Sequence, residues 1–143
     1  MTSLATNIWQ PPRAVPFFQP PARELSPRIA IKTGGRILLI SSRDIVSVKA
    51  EGNYVSLQRE SASYLLRESI SDMAEKLEPF GFIRIHRSVL VNIWFVEEIR
   101  PHGTGEYLVR VTTGKEFTVT RTYKENLKSL AEFWIGTGTF FQD

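Results

Sequence analysis

The stretch "FIRIHRSVLVN", residues 82–92, sets three cationic or imidazole side chains into an otherwise apolar run. These side chains belong to Arg84, His86 and Arg87. Burying a cation without a partner is strongly unfavourable, so each must face water, a carboxylate or an anionic ligand. The surroundings of these three residues therefore decide what the protein binds.

The first five residues of this stretch alternate as a β-strand requires. Ile83 and Ile85 fall on one side of the strand, and Phe82, Arg84 and His86 fall on the other. We expect the two isoleucines to anchor the strand beneath the cations.

Short strands separated by glycine turns surround this stretch. Gly34-Gly35 and Glu51-Gly52-Asn53 each lie between two apolar runs, and glycine takes the positive φ that tight hairpins need. Tyr107, Val109, Val111, Phe117 and Val119 are predicted to share one buried face. Further strands are predicted at 28–33, 36–41, 44–50, 54–60, 63–67, 96–100, 106–112 and 116–120.

Two helices complete the predicted body, which is mainly β. One covers about 70–78, with Ser69 as its N-cap and Gly81 after its end. A second, amphipathic helix is predicted at 123–134, with its apolar positions at Leu127, Leu130, Ala131 and Trp134. Both helices look structural.

The predicted domain organisation is a body at 28–134, preceded by a proline-rich arm or linker at 1–27 and followed by a tail at 135–143. The arm holds six of the eight prolines, and proline at this density cannot join a helix or a sheet ladder. Two interpretations of its aromatic side chains are open. The arm is a disordered tail in which they have no role, or they dock on the body or on a second copy. They are Trp9, Phe17 and Phe18.

The composition excludes several classes of function. The 143 residues carry a net charge of only +3, no cysteine and two histidines, so we expect no disulfide, no metal site and no cysteine nucleophile. No pair of carboxylates, serine–histidine pair or phosphate-binding glycine loop appears at a useful spacing, so we expect no enzyme and no cofactor. The longest apolar run, residues 89–96, is too short to cross a bilayer, and no signal peptide is visible. A cytoplasmic protein without membrane contact is expected.

Polar side chains suited to DNA occur at three places near strand ends. Arginine can grip guanine through two hydrogen bonds, asparagine can do so with adenine, and lysine, serine or tyrosine can hold phosphate. Each place also has a structural explanation as a turn former, a helix cap or a solvated edge. The three places are Asn53, the group Arg84, His86, Arg87 and Ser88, and the group Arg121, Tyr123 and Lys124.

Four separated segments in a fixed order resemble the LytTR DNA-binding domain of bacterial transcription regulators. They read "DIVSVKAEGNYVSLQ", "LRESISDMAEKL", "FIRIHRSVLVNIWFVEEI" and "GKEFTVTRTYKENL", and the resemblance covers about residues 28–131. It implies elongated, mostly antiparallel β-sheets with one short helix and a C-terminal helix. It also implies sequence-specific binding to double-stranded promoter DNA, with loops entering successive major grooves and no recognition helix.

Carried over position by position, the resemblance implies a role for eight residues. The base-reading positions fall on Asn53, Arg87 and Arg121. The positions that hold the DNA backbone or support the loops fall on or beside Arg84, His86, Ser88, Tyr123 and Lys124. Asn92 looks structural, satisfying backbone groups near a turn.

The partners implied are promoter DNA, a second copy on a repeated half-site, and a regulatory protein. Such domains commonly follow a receiver or sensory domain, whereas only the arm precedes the match here. Control is then expected through the arm, the tail, another protein, the expression level or a longer parent chain. The alternative function is a β-module that binds a protein partner as an anti-regulator without touching DNA.

Overall fold

The computed structural model describes residues 28–131 and 135–136, and it confirms a mainly β fold built from antiparallel strands. The strands are β1 (Arg28–Thr33), β2 (Arg36–Ser41), β3 (Ile45–Glu51), β4 (Tyr54–Arg59), β5 (Ser63–Leu66), β6 (Phe82–His86), β7 (Val89–Asn92), β8 (Val96–His102), β9 (Glu106–Val111) and β10 (Glu116–Val119). The helices within the described ranges are α1 (Ile70–Leu77) and four 3₁₀ helices, Ser42–Asp44, Glu78–Phe80, Ile93–Phe95 and Arg121–Leu130.

The strands of the described residues form three sheets. The central sheet has five strands in the order β5-β4-β3-β7-β6, the second sheet has three in the order β10-β9-β8, and β1 pairs with β2 alone. Strands β3 and β7, which are distant in sequence, pair at the middle of the central sheet. The central sheet therefore joins the two halves of the fold.

Two hairpin turns fix the register of neighbouring strands. Thr33 pairs with Arg36 across Gly34-Gly35, whose φ values are 58° and 77°, so the predicted two-residue turn is confirmed. The predicted three-residue turn at 51–53 is wrong by one residue. Glu51 still pairs with Tyr54 as the last residue of β3, which leaves Gly52-Asn53 as the turn.

The first hydrophobic core lies between one face of the central sheet, α1 and the β1–β2 hairpin. Ser69 caps α1 as predicted, because its Oγ accepts a hydrogen bond from Asp72 N at 3.0 Å. Gly81, with φ 93°, ends the following 3₁₀ turn. The buried residues of this core are Ile31, Ile40, Ile45, Val48, Val55, Leu57, Leu66, Met73, Leu77, Phe82 and Leu90.

The second hydrophobic core contains side chains from the central sheet, the three-stranded sheet and the 3₁₀ helix Arg121–Leu130. The shared face predicted for β9 and β10 is confirmed, since four of its five members are buried and Phe117 packs against them. The buried residues of this core are Val46, Ile85, Val91, Tyr107, Val109, Val111, Val119 and Leu127.

Strand β6 contributes to both cores. Phe82 is buried in the first core, whereas Ile85 is buried in the second, where Ile83 packs against it. The alternation of the sequence is real, but the side that carries Phe82 is covered as well as the side that carries the isoleucines. A local sequence pattern cannot reveal this, because the covering elements come from distant parts of the chain.

The C-terminal helix differs from its prediction. A helix is present as predicted, but it is a 3₁₀ helix that begins at Arg121 and ends at Leu130, whereas the prediction was 123–134, of which 132–134 lie outside the described residues. Spacing by three places Leu127 and Leu130 on one edge, and both pack into the second core. Strand β7 was not predicted as a separate element, because "VLVNIWFV" continues without a break into the 3₁₀ helix Ile93–Phe95.

Several predictions concern residues outside the described ranges. These are the arm at 1–27 with its aromatic residues, Trp134, and most of the tail. Among the residues that the structure does describe, no helix has the length and apolar run needed to cross a membrane.

Candidate nucleic-acid interface

Two of the three predicted places lie side by side at one end of the central sheet. The β6–β7 turn contains Arg87 and Ser88, and the β3–β4 turn contains Asn53. Ala50 N donates a hydrogen bond to Ser88 O at 2.8 Å, next to the last β3–β7 pair, Lys49 with Val89. Both turns therefore extend from the same end of adjacent strands.

The third place begins beside strand β6. Thr120 N donates to Ile85 O at 3.0 Å, and the 3₁₀ helix starts at the next residue, Arg121. This bond ties the start of the helix to the end of β6 that leads into the β6–β7 turn. Long-range backbone hydrogen bonds thus connect Arg121 to the same end of the sheet.

The three predicted base-reading side chains are available for a ligand. Asn53, Arg87 and Arg121 are all exposed. Within residues 28–131 and 135–136, none of their side chains makes a hydrogen bond or an ion pair. No carboxylate of that region pairs with these three side chains.

Arginines on the three-stranded sheet have a different environment. Arg100 lies 3.0 Å from Glu116 and 2.8 Å from Glu98, and these hydrogen bonds raise the pKa of Arg100 above its ordinary value. Arg110 pairs with Glu97 at 3.3 Å. Their charges are compensated by carboxylates of the same sheet.

Arg84 is held by the protein itself. Its guanidinium donates from Nη2 to Arg87 O, from Nε to His86 O at 3.4 Å, and from Nη1 to Ser71 Oγ at 3.4 Å. The guanidinium carbon also lies 5.5 Å from the centre of the Tyr123 ring. One side chain thus connects the β6–β7 turn, helix α1 and the 3₁₀ helix.

His86 and Ser88 stabilise the β6–β7 turn from within. Ser88 N donates to His86 Nδ1 at 3.0 Å, so this ring nitrogen is the acceptor and the other carries the proton. Lys124, half-buried on the 3₁₀ helix, also makes contacts within the protein.

Sequence reasoning missed two supports of this region. Asn126 Nδ2 donates to Arg84 O at 2.8 Å, and Ser71 accepts from the Arg84 guanidinium. The partners are 42 and 13 residues apart in sequence. No local pattern marks such pairs.

Asn92 is fully buried and hydrogen-bonded to three backbone groups, as predicted. Its Nδ2 donates to Ser42 O at 3.1 Å and to Ile45 O at 2.8 Å, and its Oδ1 accepts from Trp94 N at 3.1 Å. Asn92 thus fixes the turn at the end of β7, whereas Arg87 precedes the start of that strand.

In the part of the chain that the structure describes, no three histidine, aspartate or glutamate side chains are grouped as metal ligands.

The candidate interface is built from exposed amide and guanidinium groups on a rigid sheet, and such groups suit the recognition of base edges and phosphates.

The fold is that of a known class of domains. A LytTr DNA-binding domain from Bacillus cereus superposes with a TM-score of 0.65 at 20% sequence identity, covering 75% of this chain and 98% of that one. The family model of the LytTr DNA-binding domain matches residues 35–132. The chain belongs to the LytTR family of DNA-binding domains.

Curated relatives are longer than this chain. The sensory transduction protein LytT of Bacillus subtilis (strain 168) is 30% identical over 103 residues, which are 72% of this chain and 43% of that protein. The transcriptional regulatory protein LytR of Staphylococcus aureus (strain N315) is 22% identical over 101 residues, 71% of this chain and 41% of that protein. The chain spans less than half the length of these relatives.

Proposed function

We propose that the protein is a transcriptional regulator that binds promoter DNA sequence-specifically through the turns at one end of its central sheet. The observation that carries the proposal is that Asn53, Arg87 and Arg121 are exposed on connected turns without partners in residues 28–131. The regulatory names of the relatives support it. Residues 28–134 form the DNA-binding domain in this proposal, between an arm at 1–27 and a tail at 135–143.

Each base-reading residue has a matching partner in the major groove. Arg87 and Arg121 present planar guanidinium forks that fit the O6 and N7 atoms of guanine, and Asn53 presents an amide that fits adenine. The β3–β4 turn, the β6–β7 turn and the start of the 3₁₀ helix enter successive major grooves. The sheet supplies the rigid base that holds these groups in place.

The supporting residues hold the turns or the phosphates. Arg84 shapes the β6–β7 turn through its bonds to two carbonyl groups, and Tyr123 lies beside its guanidinium. His86 fixes the backbone of Ser88. Lys124 supplies positive charge to a phosphate.

Helix α1 does not read DNA in this proposal. Its outward side carries the exposed residues Asp72 and Glu75, and Glu78 follows at its C-terminal end. These carboxylates repel phosphate. This charge distribution supports recognition by the turns rather than by this helix.

Selection of bound sites from a random duplex pool tests the proposal, followed by titration of the selected duplex and a scrambled duplex at two salt concentrations. We expect a tighter complex with the selected duplex, and for both duplexes an affinity that falls steeply as salt rises. An equal affinity for both duplexes, or no dependence on salt, would contradict sequence-specific DNA binding.

The alternative, a β-module for a protein partner, is supported by one surface. Ile37 is 66% exposed and Leu39 is 57% exposed on the outer face of the β1–β2 hairpin. A protein-binding module would show no sequence preference and no steep salt dependence in the titration above. The same experiment therefore separates the two functions.

A further inference from the structure

The side chain of Arg121 occupies the space that a Cβ atom on Gly105 would need. This glycine ends the β8–β9 turn and has a φ of 76°. A methyl group on its Cα would lie 2.9 Å from Cγ of Arg121 and 3.0 Å from both Cδ and Nε. Ordinary contacts between carbon atoms are about 3.5–4.0 Å, so only glycine leaves room for the arginine in this position.

We propose that Gly105 is a positioning residue for DNA recognition, because its bare backbone forms a seat that directs the guanidinium of Arg121. This inference rests on the proposed function, in which Arg121 contacts a base. The three Arg121 atoms nearest to the missing Cβ are consecutive, from Cγ to Nε, so the guanidinium nitrogens beyond them are the groups that would meet the base edge.

The seat matters because arginine is long and exposed. Arg121 makes no hydrogen bond or ion pair in the described part of the chain, so no polar partner there fixes the direction of its guanidinium. A bidentate contact needs both nitrogens in one plane with the base, and a side chain that is already oriented loses less rotamer entropy on binding.

A methyl group at Gly105 would move the arginine rather than unfold the turn. The close atoms belong to a flexible, exposed side chain, which yields more easily than the backbone. Moving Cγ and Cδ displaces the whole guanidinium beyond them. The expected loss is therefore in recognition of the DNA sequence.

Gly103, in the same turn, offers a matched control. Its φ is 68°, but a methyl group there would meet nothing within 4 Å. Gly103→Ala and Gly105→Ala thus impose similar backbone strain, and only Gly105→Ala disturbs Arg121.

The test measures binding of the 143-residue chain to the duplex selected with the wild-type protein and to a scrambled duplex. The variants are Gly103→Ala, Gly105→Ala, Arg121→Ala and the double variant Gly105→Ala with Arg121→Ala. We expect Gly105→Ala to bind the selected duplex about tenfold more weakly and Gly103→Ala to bind it as the wild type does. In the Arg121→Ala background, Gly105→Ala should cause no further loss, because the two residues act as one unit.

Each contrary outcome points to a different error. If Arg121→Ala leaves the preference for the selected duplex unchanged, the proposed role of Arg121 in DNA reading is wrong, and the seat falls with it. If Arg121→Ala is defective while Gly105→Ala matches Gly103→Ala, only the seat is wrong. A full loss from Gly105→Ala in the Arg121→Ala background also overturns the seat. Should the alanine variants unfold, Gly105→Asn and Gly103→Asn repeat the comparison, since asparagine tolerates a positive φ.

Discussion

At the scale of single residues, Arg84 and Arg87 show how neighbouring arginines take on different tasks. Arg84 donates to the carbonyl groups of His86 and Arg87 and is held in place by them. Arg87 projects from the turn that Arg84 shapes, and it is exposed. In the composition, the two arginines count as equal charges. Their hydrogen bonds distinguish Arg84, which supports the turn, from Arg87, which is a candidate for base recognition.

Replacing Arg87 should affect specific binding more than general binding. For Arg87→Ala we expect a loss of about 1–3 kcal/mol on the selected duplex, as for one bidentate base contact, and a smaller loss on a scrambled duplex. Arg100→Ala removes the same charge from a paired position on β8 and is the control. Equal losses on both duplexes for Arg87→Ala would remove this residue from the reading role.

Asn92 should matter for stability rather than for binding. Asn92→Ala leaves the carbonyls of Ser42 and Ile45 and the amide of Trp94 without their partner, and we expect the free energy of unfolding to fall by about 2–4 kcal/mol. Urea unfolding measures the change. Asn126→Ala, at an exposed position, is the matched control and should cost less. A similar loss for both variants would contradict the structural role.

At the scale of elements, the sequence predicted the features that depend on local residues and missed those that depend on long-range packing. The Gly34-Gly35 turn and the Ser69 cap were predicted because each depends on residues a few positions apart. The burial of Phe82 and the 3₁₀ form of the last helix were missed, since both depend on packing against distant elements. The same holds for the candidate site. The polar residues at strand ends could be predicted from the sequence, but the close approach of Arg121 to Gly105 could not, because the two residues belong to different elements.

The β6–β7 turn gives a prediction that separates shape from charge. Arg84→Lys keeps the positive charge but loses the planar fork that bonds to two carbonyl groups. For Arg84→Lys we expect weaker binding to the selected duplex with an unchanged dependence on salt.

Lys124→Ala should instead weaken binding to all DNA sequences similarly and reduce the salt slope by about one phosphate contact. A reduced salt slope for Arg84→Lys would mean that its charge, and not its shape, is what the DNA senses.

At the scale of the whole molecule, the candidate interface occupies one end of the central sheet, and the paired arginines lie on another sheet. In the proposed binding mode, one such domain covers a short stretch of duplex. We therefore expect two copies to bind repeated half-sites about one helical turn apart.

The spacing of half-sites tests this arrangement. Two copies that touch on one face of the duplex should bind cooperatively when the selected half-sites are about 10 base pairs apart. Inserting about five base pairs rotates one site to the opposite face and should abolish the cooperativity, and inserting about ten should restore part of it. Gel mobility shifts on the three duplexes provide the measurement. Cooperativity that is the same at every spacing would argue against contact between the copies.

The pairing of β3 with β7 also bears on how the chain reaches this fold. Asn92 bonds to carbonyl groups 47 and 50 residues earlier, and the β3–β7 ladder beside it supports both cores. A long stretch of chain must close into a loop before either core is complete, and loop closure of this kind raises the contact order and slows folding. The rate-limiting step of folding is therefore expected at the meeting of these two strands, with the hairpins forming earlier on their own.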